Sequence, residues 1–307
     1  CALGLPGAER MDLNYCLRTM DAWAERVKAY TAQMMHHFES NPARFSHSLA
    51  YFKALTLVTA LQQQCGVHYN DAKRDLSVPL EVADSFLFGI IQGNGGTCAS
   101  LPVLYCAVGH RLGYPMVLAC AKGEGATHNY VQWDDGEVRF NIEATGPKMA
   151  TPTDEHYRTG IFSLSRQIER RGCFLKPLNM QQTLAVFLAE RAQYCFEANC
   201  PQEAIHAMTW AAALHPKNEF YFNTAGIYYN HWLGLLARRT PFGFPEIFIT
   251  KLQRQFPPII PLRFELDLCG IETTERLLYD PNHDRNLWAP LRQGRWPDKL
   301  PVEVECE

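Results

Sequence analysis

The sequence predicts an α+β chain: helices first, then a small antiparallel sheet, then helices again. Three observations carry that expectation. Residues 12–39 place Leu13, Leu17, Met20, Trp23, Val27, Tyr30 and Met34 at helical spacing. Three short segments of strand character, 116–121, 127–133 and 137–144, follow one another in mid-chain. From Gln181 onward the apolar spacing becomes helical once more.

Taken in order, the first helix is followed by a second across Ser48 to Gln64, dense in Ala, Leu and Val and closed by Gly66. The apolar segment Val82 to Ile91 leads into Gly93-Asn94-Gly95-Gly96. A third helix is expected from Cys98 to Leu112, with the stripe Leu101, Leu104, Tyr105, Val108 and Leu112, stopped by Gly113 and Pro115. Asp134-Asp135-Gly136 is a hairpin signal between the last two strands, because glycine accepts the positive φ such turns require. In the C-terminal helices, Ala192, Ala204, Met208, Ala211 and Pro216 match the small, Ala, bulky, Ala and Pro positions of a tetratricopeptide repeat. Phe222, Ala225, Gly226 and Tyr229 repeat its first-helix positions. About one and a half repeats are too few to stand alone, so the unit must pack on the core. Two ordinary antiparallel helices are the alternative. The chain therefore divides into 1–178 (the core with its helical lead), 179–239 (the repeat-like helices) and 240–307, a proline- and aromatic-rich tail read as wrapped on the body.

Composition narrows the function classes. The chain of 307 residues is 47% hydrophobic, 20% charged and 12% aromatic, ordinary for a globular protein. A formal net charge of -3 gives no electrostatic case for nucleic acid or anionic membrane. No apolar run reaches the ~18 residues of a transmembrane helix. The 11 cysteines are odd in number and scattered, unlike a secreted disulfide framework, which points to reduced thiols and the cytoplasm. The start at Cys1 without a Met leaves a second reading, a processed lipoprotein anchored through that cysteine, beside a trimmed N-terminus. Cys106-x3-His110 and Cys65-x2-His68 are isolated pairs without a second pair at zinc spacing, so no metal is expected. The glycine run lacks the Lys-Ser/Thr ending of a phosphate loop, and no cofactor is expected.

One cysteine stands apart. Cys98 sits where the glycine-rich loop turns into a helix, where unpaired N–H groups and the helix dipole favour a thiolate. The glycines before it also let substrate approach the backbone closely. Position alone leaves open a buried structural thiol. The hairpin adds the second half of a site. With a two-residue turn at Asp135-Gly136, Asp134 pairs with Glu137, and counting outward sets His128 directly opposite Glu143. Tyr130, Gln132, Arg139 and Asn141 share that face, while Val131, Trp133, Val138, Phe140 and Ile142 line the other and pin the register by burial. An imidazole beside a carboxylate is the orienting pair of a thiol triad.

The run GNGGTCASLPVLYCAVGHRLGYP, with THNYVQW and FNIEAT after it, resembles the transglutaminase-like superfamily. The layout, a helical lead, this core, then tetratricopeptide-like helices, is similar to its bacterial SirB1-type branch over roughly residues 1 to 230. The resemblance implies a papain-like core in which a helix-borne Cys faces a small sheet carrying His and an acid. It makes Cys98 the nucleophile, His128 the general base and then acid, and Glu143 the orienting acid. Glu143 stands where the superfamily commonly has Asp, and the tryptophan typical of animal transglutaminases is missing from the glycine-rich approach. Gln92, six residues before Cys98, matches the spacing of the oxyanion glutamine of papain-like proteases and, with the Cys98 N–H, is the expected oxyanion hole; a plain loop residue is the alternative. The expected reaction is acyl transfer on a peptide or protein amide, with hydrolysis favoured over cross-linking. The alternative is a non-catalytic regulator that keeps the fold and binds a protein partner through the repeat-like helices.

Overall fold

The computed structural model describes residues 1–239 apart from 76–77, 123–126, 144, 160–163, 165 and 171. The tail expected at 240–307 lies outside the described residues. Its contacts divide the chain into two compact units, the first Cys1–Thr183 and the second beginning at Leu184.

Helix α1 is Leu13–Ser40, opened by Asp12, whose carboxylate accepts the Tyr15 N–H at 2.9 Å. A 3-10 turn at Pro42–Phe45 reverses the chain into α2, Leu49–Gln64, capped by Ser48 through the Tyr51 N–H. A second 3-10 turn, Asp71–Lys73, precedes two short helices, α3 (Val82–Ser85) and α4 (Leu87–Ile91). Helix α5 is Leu101–Arg111 and feeds strand β1 (Met116–Lys122), β2 (Thr127–Asp134) and β3 (Arg139–Ile142). The short helices α6 (Asp154–Arg158) and α7 (Arg166–Arg170) complete the first unit.

The strands form an antiparallel sheet of order β1-β2-β3. Its α+β character is as expected. One face packs on the helices. Met116, Val131, Trp133 and Ile142 join Val27 of α1, Leu57 and Leu61 of α2, and Leu104, Tyr105 and Val108 of α5 in one buried cluster. This is why the apolar alternation of β2 and β3 pins the strands: a slip by one residue would exchange it for the polar set.

The opposite face is also covered, although its residues are polar. Tyr130 and Gln132 are fully buried, with the Tyr157 ring of α6 stacked on Tyr130 at 4.2 Å. Asn141 donates to the Pro152 carbonyl and to Asp154, and accepts from Gln132 at 2.8 Å. The outer edge of β1 receives the Leu175 and Leu178 N–H groups on the Cys120 and Leu118 carbonyls. Polarity along a strand marks exposure only when nothing else supplies hydrogen-bond partners, and for Asn141 the Pro152 carbonyl and Asp154 do.

The hairpin register differs from expectation. Asp134 pairs with Arg139 and Val131 with Ile142, two residues away from the pairing a two-residue turn would give. The cause lies in Asp135. Its carboxylate oxygen accepts the Glu137 and Val138 N–H groups at 3.0 and 2.7 Å, and its own N–H reaches the Val138 carbonyl at 3.3 Å. The loop is thereby widened, β3 starts at Arg139 rather than 137, and Val138 is exposed.

Helix α8 (Met180–Glu197) begins before the boundary at Leu184 and runs on into the second unit, where α9 (Pro201–Leu214) and α10 (Glu219–Arg239) follow in sequence. Of the positions picked out by the repeat spacing, Ala192, Ala204, Met208, Ala211, Ala225, Gly226 and Tyr229 are buried, while Pro216 and Phe222 are half-buried. Phe196 of α8 stacks on Tyr228 of α10 at 4.2 Å. No described helix is long and apolar enough to cross a membrane.

Candidate active site

Three separate pieces of chain converge on one imidazole. Residues 95–100 deliver Cys98, β2 delivers His128, and the chain just past β3 delivers Glu143. His128 Nε2 lies 2.6 Å from Glu143 Oε2. The Cys98 side chain lies close enough to the same ring to raise it. The three residues singled out in the sequence are therefore together.

The way Glu143 arrives corrects the expected register. It does not face His128 across the ladder; it lies one residue beyond the last paired position, bridged antiparallel to Ala150 through two 2.8 Å backbone bonds. A two-residue shift is one full side-chain period of a strand, so Glu143 keeps the face of His128 and reaches it diagonally. The longer reach of Glu spans that diagonal. Its other oxygen accepts the Thr145 hydroxyl at 2.7 Å and the Thr145 N–H at 3.3 Å, and the Tyr157 hydroxyl lies 3.4 Å from the first.

Burial opposes charging of His128, yet the nearby Cys98 thiol, the Glu143 hydrogen bond and the negative charge of both outweigh it and push the imidazole up to about 9. Burial likewise opposes ionising Glu143, but His128, by hydrogen bond and by charge, and then Thr145 hold its carboxyl below its ordinary value. The two directions agree: the pair is poised as imidazolium and carboxylate.

Cys98 is half-buried and sits three residues ahead of α5, not within it. Its turn is built like a helix start. The Thr97 carbonyl accepts the Ser100 and Leu101 N–H groups at 3.2 and 2.9 Å. The Thr97 hydroxyl accepts the Ala99 N–H at 3.2 Å, and the Ser100 hydroxyl accepts the Thr97 N–H at 3.1 Å. Both hydroxyls then donate to the carbonyl of buried Asp84, at 3.0 and 2.6 Å. Cys98 thus occupies the first position of a fixed turn in which the N–H groups of Thr97, Ala99, Ser100 and Leu101 are engaged and that of Cys98 is not.

Asp84 is itself the centre of a network. Its carboxylate accepts Asn70 Nδ2 at 2.9 Å and the Glu81 N–H at 2.7 Å, and pairs with Lys73 Nζ at 3.3 Å. The Asp84 and Lys73 side chains are only 4% and 9% exposed, so the pair is a buried one. The glycines answer to the protein rather than to a substrate. A Cβ on Gly96 would meet Ile90 and Leu101 side-chain atoms at 2.8 Å, and one on Gly95 would meet the Asn70 nitrogen at 3.0 Å.

Gln92 ends α4 as its exposed C-terminal cap, and its side chain makes no hydrogen bond among the described residues. Sequence reasoning missed Thr97, Ser100, Asp84, Thr145 and Tyr69. Thr97-x-x-Ser100 is a capping-type spacing that was open to notice. Tyr69, 29 residues from Cys98, carries no local signal; it arrives because its backbone bridges in parallel to Gly96. Comparisons with family models, with curated proteins and with solved structures each return no match.

Proposed function

We propose that the chain is a cysteine-dependent acyl-transfer enzyme acting on an amide through a thioester, on a transglutaminase-like, papain-related core. The observation that carries this reading is one imidazole shared between a carboxylate at 2.6 Å and the Cys98 thiol. A structural histidine needs one partner; a nucleophile–base–acid chain needs this order of three.

In the proposed reaction His128 holds the proton of the Cys98 thiol while the sulfur attacks the carbonyl carbon. The C–N bond of the tetrahedral intermediate then breaks, and His128 protonates the departing amine. Water, deprotonated by His128, attacks the thioester; the acid leaves and the thiol is restored. Glu143 keeps the imidazole oriented and stabilises its charged form. Hydrolysis is the proposed outcome, since water is the default acceptor; an amine in its place would give transamidation. The repeat-like helices of the second unit are proposed as a site for a protein partner.

Trapping tests the reading. Incubation with a peptide library, acid quench and mass spectrometry should show an adduct on Cys98 that is lost in Cys98→Ala and in His128→Ala. A protein that binds peptides equally well in all three forms, with no adduct in any, would instead be the non-catalytic regulator.

A further inference from the structure

We propose that Tyr69 is a catalytic residue whose phenol donates a hydrogen bond to the oxyanion formed when Cys98 attacks a carbonyl. This rests on the reading of Cys98 as a nucleophile.

The placement is held by backbone and side chain alike. Asn70 donates its N–H to the Gly96 carbonyl at 2.8 Å, and Gly96 donates to the His68 carbonyl at 3.0 Å, so 68–70 lies strand-like along the glycine run. Gly95, at φ 79°, permits that contact, because a side chain there would strike Asn70 and His68. Asp84 then ties the two pieces together from outside: its carboxylate holds Asn70, next to Tyr69, and its carbonyl holds Thr97, next to Cys98. The Arg74 guanidinium covers the Tyr69 ring at 4.5 Å and fixes its plane.

A tetrahedral oxyanion needs donors not already committed. Across 97–101, the N–H groups of Thr97, Ala99, Ser100 and Leu101 are all spent within the turn. The Cys98 N–H is left, which is one donor. Gln92, exposed at the end of α4, makes no bond toward the site. Tyr69 is half-buried, its phenol makes no hydrogen bond to a described residue, and it lies within the field of both Cys98 and Glu143. Burial, then the charge on Cys98, raise the phenol above its usual range against the pull of Arg74, with Asp84 and Glu143 adding to the rise. It stays protonated, as a donor must.

The test separates two chemistries at one sulfur. Iodoacetamide alkylates by direct displacement of iodide, and no oxyanion forms. Acylation by p-nitrophenyl acetate passes through a tetrahedral oxyanion before p-nitrophenolate leaves. Tyr69→Phe should keep the alkylation rate of Cys98 within about twofold and slow its acylation by about 10²-fold, the loss typical of one oxyanion donor. Equal acylation by Tyr69→Phe and the wild type overturns the role of Tyr69 alone. So does an equal fall in both rates, which marks a structural role. A wild-type Cys98 that does neither reaction faster than the other thiols overturns the nucleophile itself, and this inference with it.

Discussion

His128 and Glu143 touch at 2.6 Å although the strand ladder never pairs them: Glu143 lies beyond the last paired residue of β3 and reaches His128 across a diagonal. Their contact depends on the Asp135-built loop, which sets the register, and on the Ala150 bridge and Thr145 bonds, which fix the carboxylate.

Removing the charge of that carboxylate has a direct consequence. Glu143→Gln keeps the size and one acceptor but withdraws the anion that raises His128. The imidazole should titrate at lower pH, read by NMR of its ring protons. The reaction of Cys98 with an activated ester should fall by about 10²-fold. An unchanged titration would mean that Glu143 does not govern His128.

The same pair shapes stability against pH. For His128 the folded value, about 9, lies above the ordinary 6.5, so its contribution is complete below about 6.5 and is lost as pH rises through about 9. For Glu143 the folded value is lowered from 4.5, so its contribution is present above that and is lost as pH falls through the lowered value. Urea unfolding should therefore show a plateau between roughly pH 4.5 and 6.5, with a decline on the order of 3 kcal/mol by pH 9. His128→Ala should flatten the alkaline limb; an identical decline in that variant would place its origin elsewhere.

The buried ion pair beneath the Cys98 turn gives a third expectation. Asp84→Ala removes the buried partner of Lys73, leaving it the exposed Glu81 carboxylate at 3.6 Å, and should cost roughly 3 kcal/mol in denaturant unfolding. Replacing both members, Asp84→Leu with Lys73→Met, should recover most of that loss. A double variant as unstable as the single one would show that Asp84 matters through Asn70 rather than through Lys73.

The glycine run yields a fourth. Gly96→Ala pushes a methyl into Ile90 and Leu101 and should destabilise by about 1–3 kcal/mol. Ile90→Val with Gly96→Ala should restore part of it. Thermal unfolding checks both, and no loss in the single variant would mean that α4 yields freely.

Much of this arrangement was legible beforehand, for physical reasons that differ by element. The long helices α1 and α2 showed in apolar spacing and in a run dense in Ala, Leu and Val. The site face was legible because a strand has period two: a register wrong by two residues still put His128 and Glu143 on one side. What escaped was set by side-chain chemistry in loops. Asp135 could accept two N–H groups and lengthen the turn, which a dipeptide signal does not reveal. Cys98 looked helical because Leu101 to Val108 are, but Thr97 and Ser100 make a separate capped turn ahead of α5. The burial of Asn141 depended on Pro152 and Asp154, which lie beyond the strand in the chain that follows it.

The most direct measurement is the rate of alkylation of Cys98 by iodoacetamide against pH, followed by mass spectrometry, in the wild type and in His128→Ala. A thiol paired with an imidazolium should react rapidly below neutral pH, far ahead of buried Cys106, whose thiol burial pushes up to about 12. His128→Ala should lose that acid-side reactivity. Sluggish labelling of Cys98, equal in both proteins and indistinguishable from exposed Cys200, would contradict the account.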